Sequence, residues 1–277
     1  MTEFLDVDGG RIAYDVNGQG PLVVLSHGMG DRRQAYRFLV PPLVEAGYRV
    51  AAADMRGHGE SSVGWASITR TDVANDLIAL IRRLGGPAVI VGHSLSGGSA
   101  TIAAAREPEL IQAIVEINPF TKLQKLHVGA LFRNGRYRKG LSLLMGTQIF
   151  GNLGTWMRYL DAAYPTKPAD YTEYMAELRA NLSEPGRMAE FKKAGKTTPA
   201  DAAEQLPNVQ CPALVIMGDL DPDFADPEAE GNAIVAAMPT GLGQVAMVRG
   251  AGHYPHAQLP DQVAPLVIDF LAEHTGT

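Results

Sequence analysis

A chain of 277 residues is long enough to bury a sizeable core, either as one large domain or as a core carrying an insertion. Its 24 basic and 30 acidic residues leave a net charge of −6, which argues against nucleic acid as a partner because phosphate binding needs a concentrated basic face. The lone cysteine, Cys211, has no internal disulfide partner, no stretch reaches 18 uninterrupted apolar residues, and Met1 to Val16 lacks a basic segment followed by an apolar one. A disulfide scaffold and a membrane span are excluded, and a cytoplasmic protein is expected.

Short strand-like runs at Phe4 to Val7 and Arg11 to Val16 flank Asp8-Gly9-Gly10, a turn sequence that predicts an antiparallel hairpin. Leu22 to Ser26 is a continuous apolar run of buried-strand type, followed by His27-Gly28-Met29-Gly30 and a helical stretch near Gln34 to Glu45 that Pro41-Pro42 is expected to kink. Arg49 to Ala53 predicts another buried strand. Thr69 to Leu84 repeats leucine and isoleucine at helical spacing until Gly85-Gly86-Pro87 stops it. Ala88 to Ala105 then breaks from a β-branched run into an alanine-rich helix at Gly92-His93-Ser94-Leu95-Ser96-Gly97-Gly98. Strand and helix continue to alternate through Ile111 to Ile117, Ala213 to Met217, Glu228 to Met238, Gln244 to Val248 and Val263 to Ala272. This rhythm predicts an α/β fold with a mostly parallel central sheet and helices on both faces.

Between Pro119 and Leu206 the strand runs stop and helical patterns separated by glycine and proline take over. The segment holds 13 of the 24 basic residues but 8 of the 30 acidic ones, a net of +5 against −11 for the rest, and all seven lysines from Lys122 to Lys196. It reads as an inserted helical unit, residues 119–206, within a core made of residues 1–118 and 207–277.

A strand that turns sharply into a helix leaves its turn residue protruding, so its neighbours must be small; Gly92, Ser96, Gly97 and Gly98 meet that need around Ser94. A serine hydroxyl is a weak nucleophile, so acyl transfer requires a histidine base, a carboxylate to hold it and donors for an oxyanion. His253 follows the Gln244 to Val248 run in a glycine-rich loop and is the candidate base. Asp219, Asp221, Asp223 and Asp226 compete for the acid's place after Ala213 to Met217. A Gly-x-x-Asp turn favours Asp221, while Asp223 and Asp226 read as turn and helix-start residues, Asp226 preceding Pro227 as an N-cap does. The backbone N–H groups of Met29 and Leu95 are the candidate oxyanion donors.

With these residues in place, the chain resembles the α/β-hydrolase family, in which nucleophile, acid and base follow the order of Ser94, Asp221 and His253. His27-Gly28-x-Gly30, Asp54-x-Arg56-Gly57-His58-Gly59-x-Ser61, Gly92-x-Ser94 and Gly252-His253 carry the resemblance; Ser96 stands where the family commonly has glycine. The resemblance implies that the Asp54 to Ser61 segment is structural and that the insertion occupies the place of a helical cap. Cys211 reads as a small buried hydrophobe. His253 and His256 lack a third metal ligand, and neither a dinucleotide fingerprint nor a Walker loop is found, so no cofactor and no metal are implied. The expected function is hydrolysis of carboxylic esters with a small-molecule acyl substrate. A lactonase or a cofactor-free perhydrolase would share the site, and a ligand sensor with little turnover is the alternative of another class. The apolar content of Leu141 to Leu160 suggests that Met145 and Trp156 select neutral, apolar acyl groups.

Overall fold

In the computed structural model, whose described residues are 1–124 and 127–275, eight strands form one sheet. β1 (Glu3–Val7) and β2 (Gly10–Asn17) make the expected hairpin, and β2 runs antiparallel to β4 (Arg49–Ala53). All other pairings are parallel, through β3 (Leu22–Ser26), β5 (Ala88–His93), β6 (Ile111–Ile117), β7 (Ala213–Gly218) and β8 (Gly243–Val248). The order is β1-β2-β4-β3-β5-β6-β7-β8. Connections leave β3 and β5 in opposite directions, so their adjacent C-terminal ends open a crevice where ligands bind in parallel sheets.

Alternate strand residues serve opposite layers. Leu22, Val24, Ala88 and Ile90 pack with residues of α2 (Arg70–Leu84), α3 (Leu95–Arg106) and α10 (Pro227–Val235). Val23, Leu25, Val89 and Val91 pack with α1 (Val40–Glu45) and α12 (Pro260–His274). Both faces are covered, which is why β3 and β5 read as unbroken apolar runs. Thr69 caps α2 in a reciprocal arrangement with Asp72, worth about 1 kcal/mol, and Gly85 ends the helix at φ 80°. The expected kinked helix near Gln34 is two pieces instead, a 3-10 turn at Arg33–Tyr36 and then α1. Pro41 and Pro42 fall in the first turn of α1, where a missing N–H is harmless, so they start a helix rather than bend one.

The segment between β6 and β7 is helical: α4 (Val128–Arg133), α5 (Gly135–Phe150), α6 (Leu153–Ala163), α7 (Tyr171–Leu182), α8 (Arg187–Gly195) and α9 (Ala200–Ala203). Trp156, Tyr159, Leu160, Tyr174, Leu178 and Phe191 from α6 to α8 form one cluster with Tyr254, just before α11 (Pro255–Gln258). Arg37 anchors this side by gripping Asp170 through two hydrogen bonds of 2.5 and 2.7 Å. In contrast, α5 buries only Tyr137, Gly140, Leu143 and Thr147. Lys125, one of the seven lysines, lies outside the described residues. Among the described residues, no helix is long and apolar enough to cross a membrane.

Candidate active site

Ser94 joins β5 to α3 at φ 54° and ψ −115°, a conformation L-residues seldom adopt. Two close approaches explain its glycine neighbours. A Cβ at Gly92 would strike the Ser96 carbonyl, and one at Gly28 would lie 2.7 Å from the Ser94 Cβ. The loop after β3 is thus pressed against the serine. Ser96 does more than fit: its hydroxyl donates to the His27 carbonyl at 2.6 Å and lies 2.9 Å from the Ser26 hydroxyl, stitching the start of α3 to the end of β3. His27 is clamped in turn. A carbonyl only accepts, so its Nδ1–H donates to Gly28 O (2.7 Å) while Nε2 accepts from Met55 N–H (3.1 Å). Burial pushes its pKa down to about 4, which keeps the ring neutral for both bonds. Among the described residues, the N–H groups of Met29 and Leu95 donate to no protein acceptor, and both residues line the cavity beside Ser94. Free donors next to a strained serine are what an oxyanion hole requires.

The structure brings Asp221 and His253 together in the interior. Asp221 Oδ2 lies 2.7 Å from His253 Nδ1, and Asp221 Oδ1 accepts from the Asp223 N–H at 2.9 Å. Asp219 instead accepts from the Gly250 N–H at 2.7 Å, holding the loop and not the ring. Asp226 caps α10 through the Ala229 N–H, as its proline neighbour predicted. Asp223 is a turn residue, as its sequence suggested, but the bond to Asp221 folds the turn so that its buried carboxylate lies 3.5 Å from His253 Nδ1 and accepts from the Tyr159 hydroxyl at 2.6 Å. Burial raises the Asp223 pKa to about 6. Burial also pulls the His253 pKa down, but the charges of Asp221 and then Asp223 outweigh it and hold the ring above its ordinary value.

Two residues that position the His253 loop escaped sequence reasoning. The Nε2–H of His93 donates to the His253 carbonyl at 2.8 Å, and burial keeps this ring neutral. Asn118, at φ 41°, donates to the Gly252 carbonyl and accepts from the Gly218 N–H, both at 2.8 Å, so one side chain ties the end of β7 to the His253 loop. Asparagine tolerates positive φ, and Asn118-Pro119 directly after a buried strand was the available signal. Asp54 is structural, as expected: it accepts from the backbone N–H groups of Arg33 (2.6 Å) and Glu60 (2.8 Å). Cys211 is buried.

Ser94 and His253 line one cavity of about 150 Å³, without a direct hydrogen bond between them. Catalytic hydrogen bonds are often loose before substrate binds. Leu144, Gln148, Trp156 and Tyr159 face them across it, with Arg70, Phe120 and Thr197 completing the wall. Met145 does not reach it: successive helical residues point about 100° apart, so Leu144 faces the cavity while Met145 is 52 % exposed. Trp156 does line it, but is buried, stacks on Tyr159 and donates to the Gly30 carbonyl at 3.1 Å. Asp221, Asp223 and His253 gather donor atoms within 4.8 Å, as metal ligands would. Their atoms are already engaged: both Asp221 oxygens, His253 Nδ1 and one Asp223 oxygen take part in the hydrogen bonds described.

The family model described as "Alpha/beta hydrolase family" matches residues 23–266. The chain is 27% identical over 276 residues to 2-(acetamidomethylene)succinate hydrolase of Mesorhizobium japonicum, an alignment covering 96% of this chain and 94% of that one. A thermophilic esterase from Thermogutta terrifontis superposes with a TM-score of 0.74 at 21% identity, over 99% of this chain and 98% of that chain. The enol-lactonase from Burkholderia xenovorans LB400 does so with a TM-score of 0.74 at 24% identity, over 98% and 100%. At these identities the two solved structures speak to the fold alone.

Proposed function

The chain belongs to the alpha/beta hydrolase family, and on that premise we propose that it is a serine hydrolase cleaving small carboxylic esters through an acyl-enzyme on Ser94. Asp221 holds the Nδ1–H of His253, leaving the Nε2 lone pair to take the Ser94 proton as the hydroxyl oxygen attacks the ester carbonyl. The N–H groups of Met29 and Leu95 receive the developing oxyanion, each such donor being worth about 3 kcal/mol in the transition state. His253 then passes the proton to the departing alkoxide, which leaves as alcohol. In the second half it takes a proton from water, whose oxygen attacks the acyl carbon and releases Ser94 and the acid. The observation that carries this reading is the buried Asp221–His253 pair, 2.7 Å apart, opening on the same cavity as a serine with positive φ.

The helices of residues 119–206 act in this reading as a cap over a core of residues 1–118 and 207–277. What supports that role is their supply of Leu144, Gln148, Trp156 and Tyr159 to the wall opposite Ser94. The apolar part of the substrate packs against Leu144, Phe120 and Met29. The test is steady-state hydrolysis of nitrophenyl esters, lactones, and an ester with added peroxide, each in wild type and Ser94→Ala, with fluorophosphonate labelling located by mass spectrometry. Fast ester turnover abolished by Ser94→Ala, and a label on Ser94, are expected. Tight binding of these compounds without turnover would favour a sensor, and labelling elsewhere would remove Ser94 from the chemistry.

A further inference from the structure

Arg70 opens α2, is 5% exposed, and lines the cavity that holds Ser94 and His253. Buried guanidinium groups are ordinarily paired with carboxylates. Elsewhere in this chain they are: Arg33 meets Asp15, Asp54 and Glu60, and Arg56 grips both oxygens of Asp76 at 2.7 Å. Arg70 has only neutral partners. Its Nε–H donates to the Phe120 carbonyl at 2.8 Å and Nη1 to the Thr197 hydroxyl at 3.3 Å. Among the described residues no carboxylate reaches it; Asp201, which acts on it through space, is engaged by the N–H and hydroxyl of Thr71 at 3.1 and 3.0 Å. A guanidinium carries five N–H donors, and two are used here. Burial lowers its pKa to about 10, which still leaves it charged at neutral pH.

We propose that Arg70 is a carboxylate-binding residue of the substrate pocket, so that the ester cleaved at Ser94 carries a carboxylate that pairs with its free N–H groups. The cleavage part rests on the hydrolase reading above; the binding part does not. One fixed cation calls for one negative charge, and the planar fork of arginine matches a planar carboxylate. A dianion such as phosphate would be left with excess charge in a cavity that the Asp223 carboxylate also lines. Among the described residues, Arg70 is the one lysine or arginine lining the cavity, and no described lysine of the helical segment reaches it. The cavity's small volume limits the partner to a short chain, with Phe120 and Leu144 against its methylene groups. The substrate is therefore an anionic short ester in place of the neutral one the sequence suggested.

The test compares 4-nitrophenyl hydrogen glutarate with 4-nitrophenyl valerate, chains of equal length with and without a terminal carboxylate, in wild type, Arg70→Lys and Arg70→Met. Wild type is expected to favour the half-ester in kcat/KM by about 10- to 100-fold, the range for a hydrogen-bonded charge. The ratio should collapse toward one in Arg70→Met and be partly kept in Arg70→Lys. Wild type favouring valerate, or an unchanged ratio in Arg70→Met, overturns the proposal. Should Arg70→Met fail to fold, calorimetric titration of Ser94→Ala with monomethyl glutarate, which carries a single carboxylate, decides: saturable binding supports the site and none refutes it. Valerate turnover without preference refutes the Arg70 site and leaves the hydrolase reading intact. Monomethyl glutarate binding without turnover of either ester does the reverse.

Discussion

The two walls of the cavity are built by different means. The core wall, with Met29, Ser94, Leu95 and His253, is fixed through the backbone: a serine at positive φ, Gly28 pressed against it, and the carbonyls of Gly252 and His253 held by Asn118 and His93. The helical wall is fixed by side-chain packing, Trp156 lying stacked on Tyr159 and edge-on to Phe191. In the proposed mechanism the groups of the core wall make and break bonds, which requires them to stay within about 0.5 Å of their working positions, and backbone hydrogen bonds serve that need. A wall of packed side chains can change its shape without disturbing them. Damage to the first wall should therefore appear in kcat, and damage to the second in the choice of ester.

The largest effect expected is that of Asp221→Asn, a fall in kcat of about four orders of magnitude, the scale for a triad aspartate whose loss gives the wrong imidazole tautomer. Asp219→Asn, which loosens only a loop contact, should stay within about tenfold of wild type. Steady-state kinetics of the two variants decides it, and a reversed order would move the acid to Asp219.

Next comes the pH profile. The imidazole must be neutral to act as base, and Asp221 with Asp223 raises its pKa above 6.5. So kcat/KM should fall as pH drops through that raised value, in one acid limb centred above 6.5. Asp223→Asn removes one of the two charges and should move the limb to lower pH. A limb that stays in place would separate Asp223 from the base.

The smallest effects sharpen the contrast from the helical side. Trp156→Phe keeps the stacking ring but loses the bond to the Gly30 carbonyl, next to Met29. Because that bond holds the loop of the core wall, its loss counts as damage to the first wall and should lower kcat about two- to tenfold, the net worth of one hydrogen bond. Met145→Ala, on an exposed face of α5, should change neither stability nor ester preference beyond about 0.5 kcal/mol. Comparable losses in both variants would erase the distinction between lining and surface residues.

What the sequence made legible was the part governed by local rules. Ser94 announced itself because a tight strand-to-helix turn needs small neighbours, and the β3 and β5 runs showed both faces of a parallel sheet. The rest depended on tertiary placement. The apolar residues of α5 are spread round the helix, so nothing local distinguished Leu144 from Met145. Asp223 turned inward only because its N–H found Asp221. His93 looked like the arbitrary middle of Gly-x-Ser until the His253 loop came to lie beside it. Arg70 did leave a trace: a cation in the first turn of a helix faces the positive end of the dipole, an unfavourable place that asks for a reason.

The backbone of Ser94 also bears on how well the protein withstands heat. Its φ of 54° at ψ −115° belongs to a class of conformations costing about 1–3 kcal/mol, which glycine adopts freely. Alanine in its place keeps that tension, whereas glycine releases it against about 0.5–1 kcal/mol of extra chain entropy. Both variants lack the hydroxyl, yet Ser94→Gly should melt above Ser94→Ala, by about 2–4 °C per kcal/mol as for domains of 150–250 residues. Equal melting temperatures would mean the turn is relaxed. A higher one for glycine would show that the fold gives up thermal endurance to keep one hydroxyl standing clear of its strand.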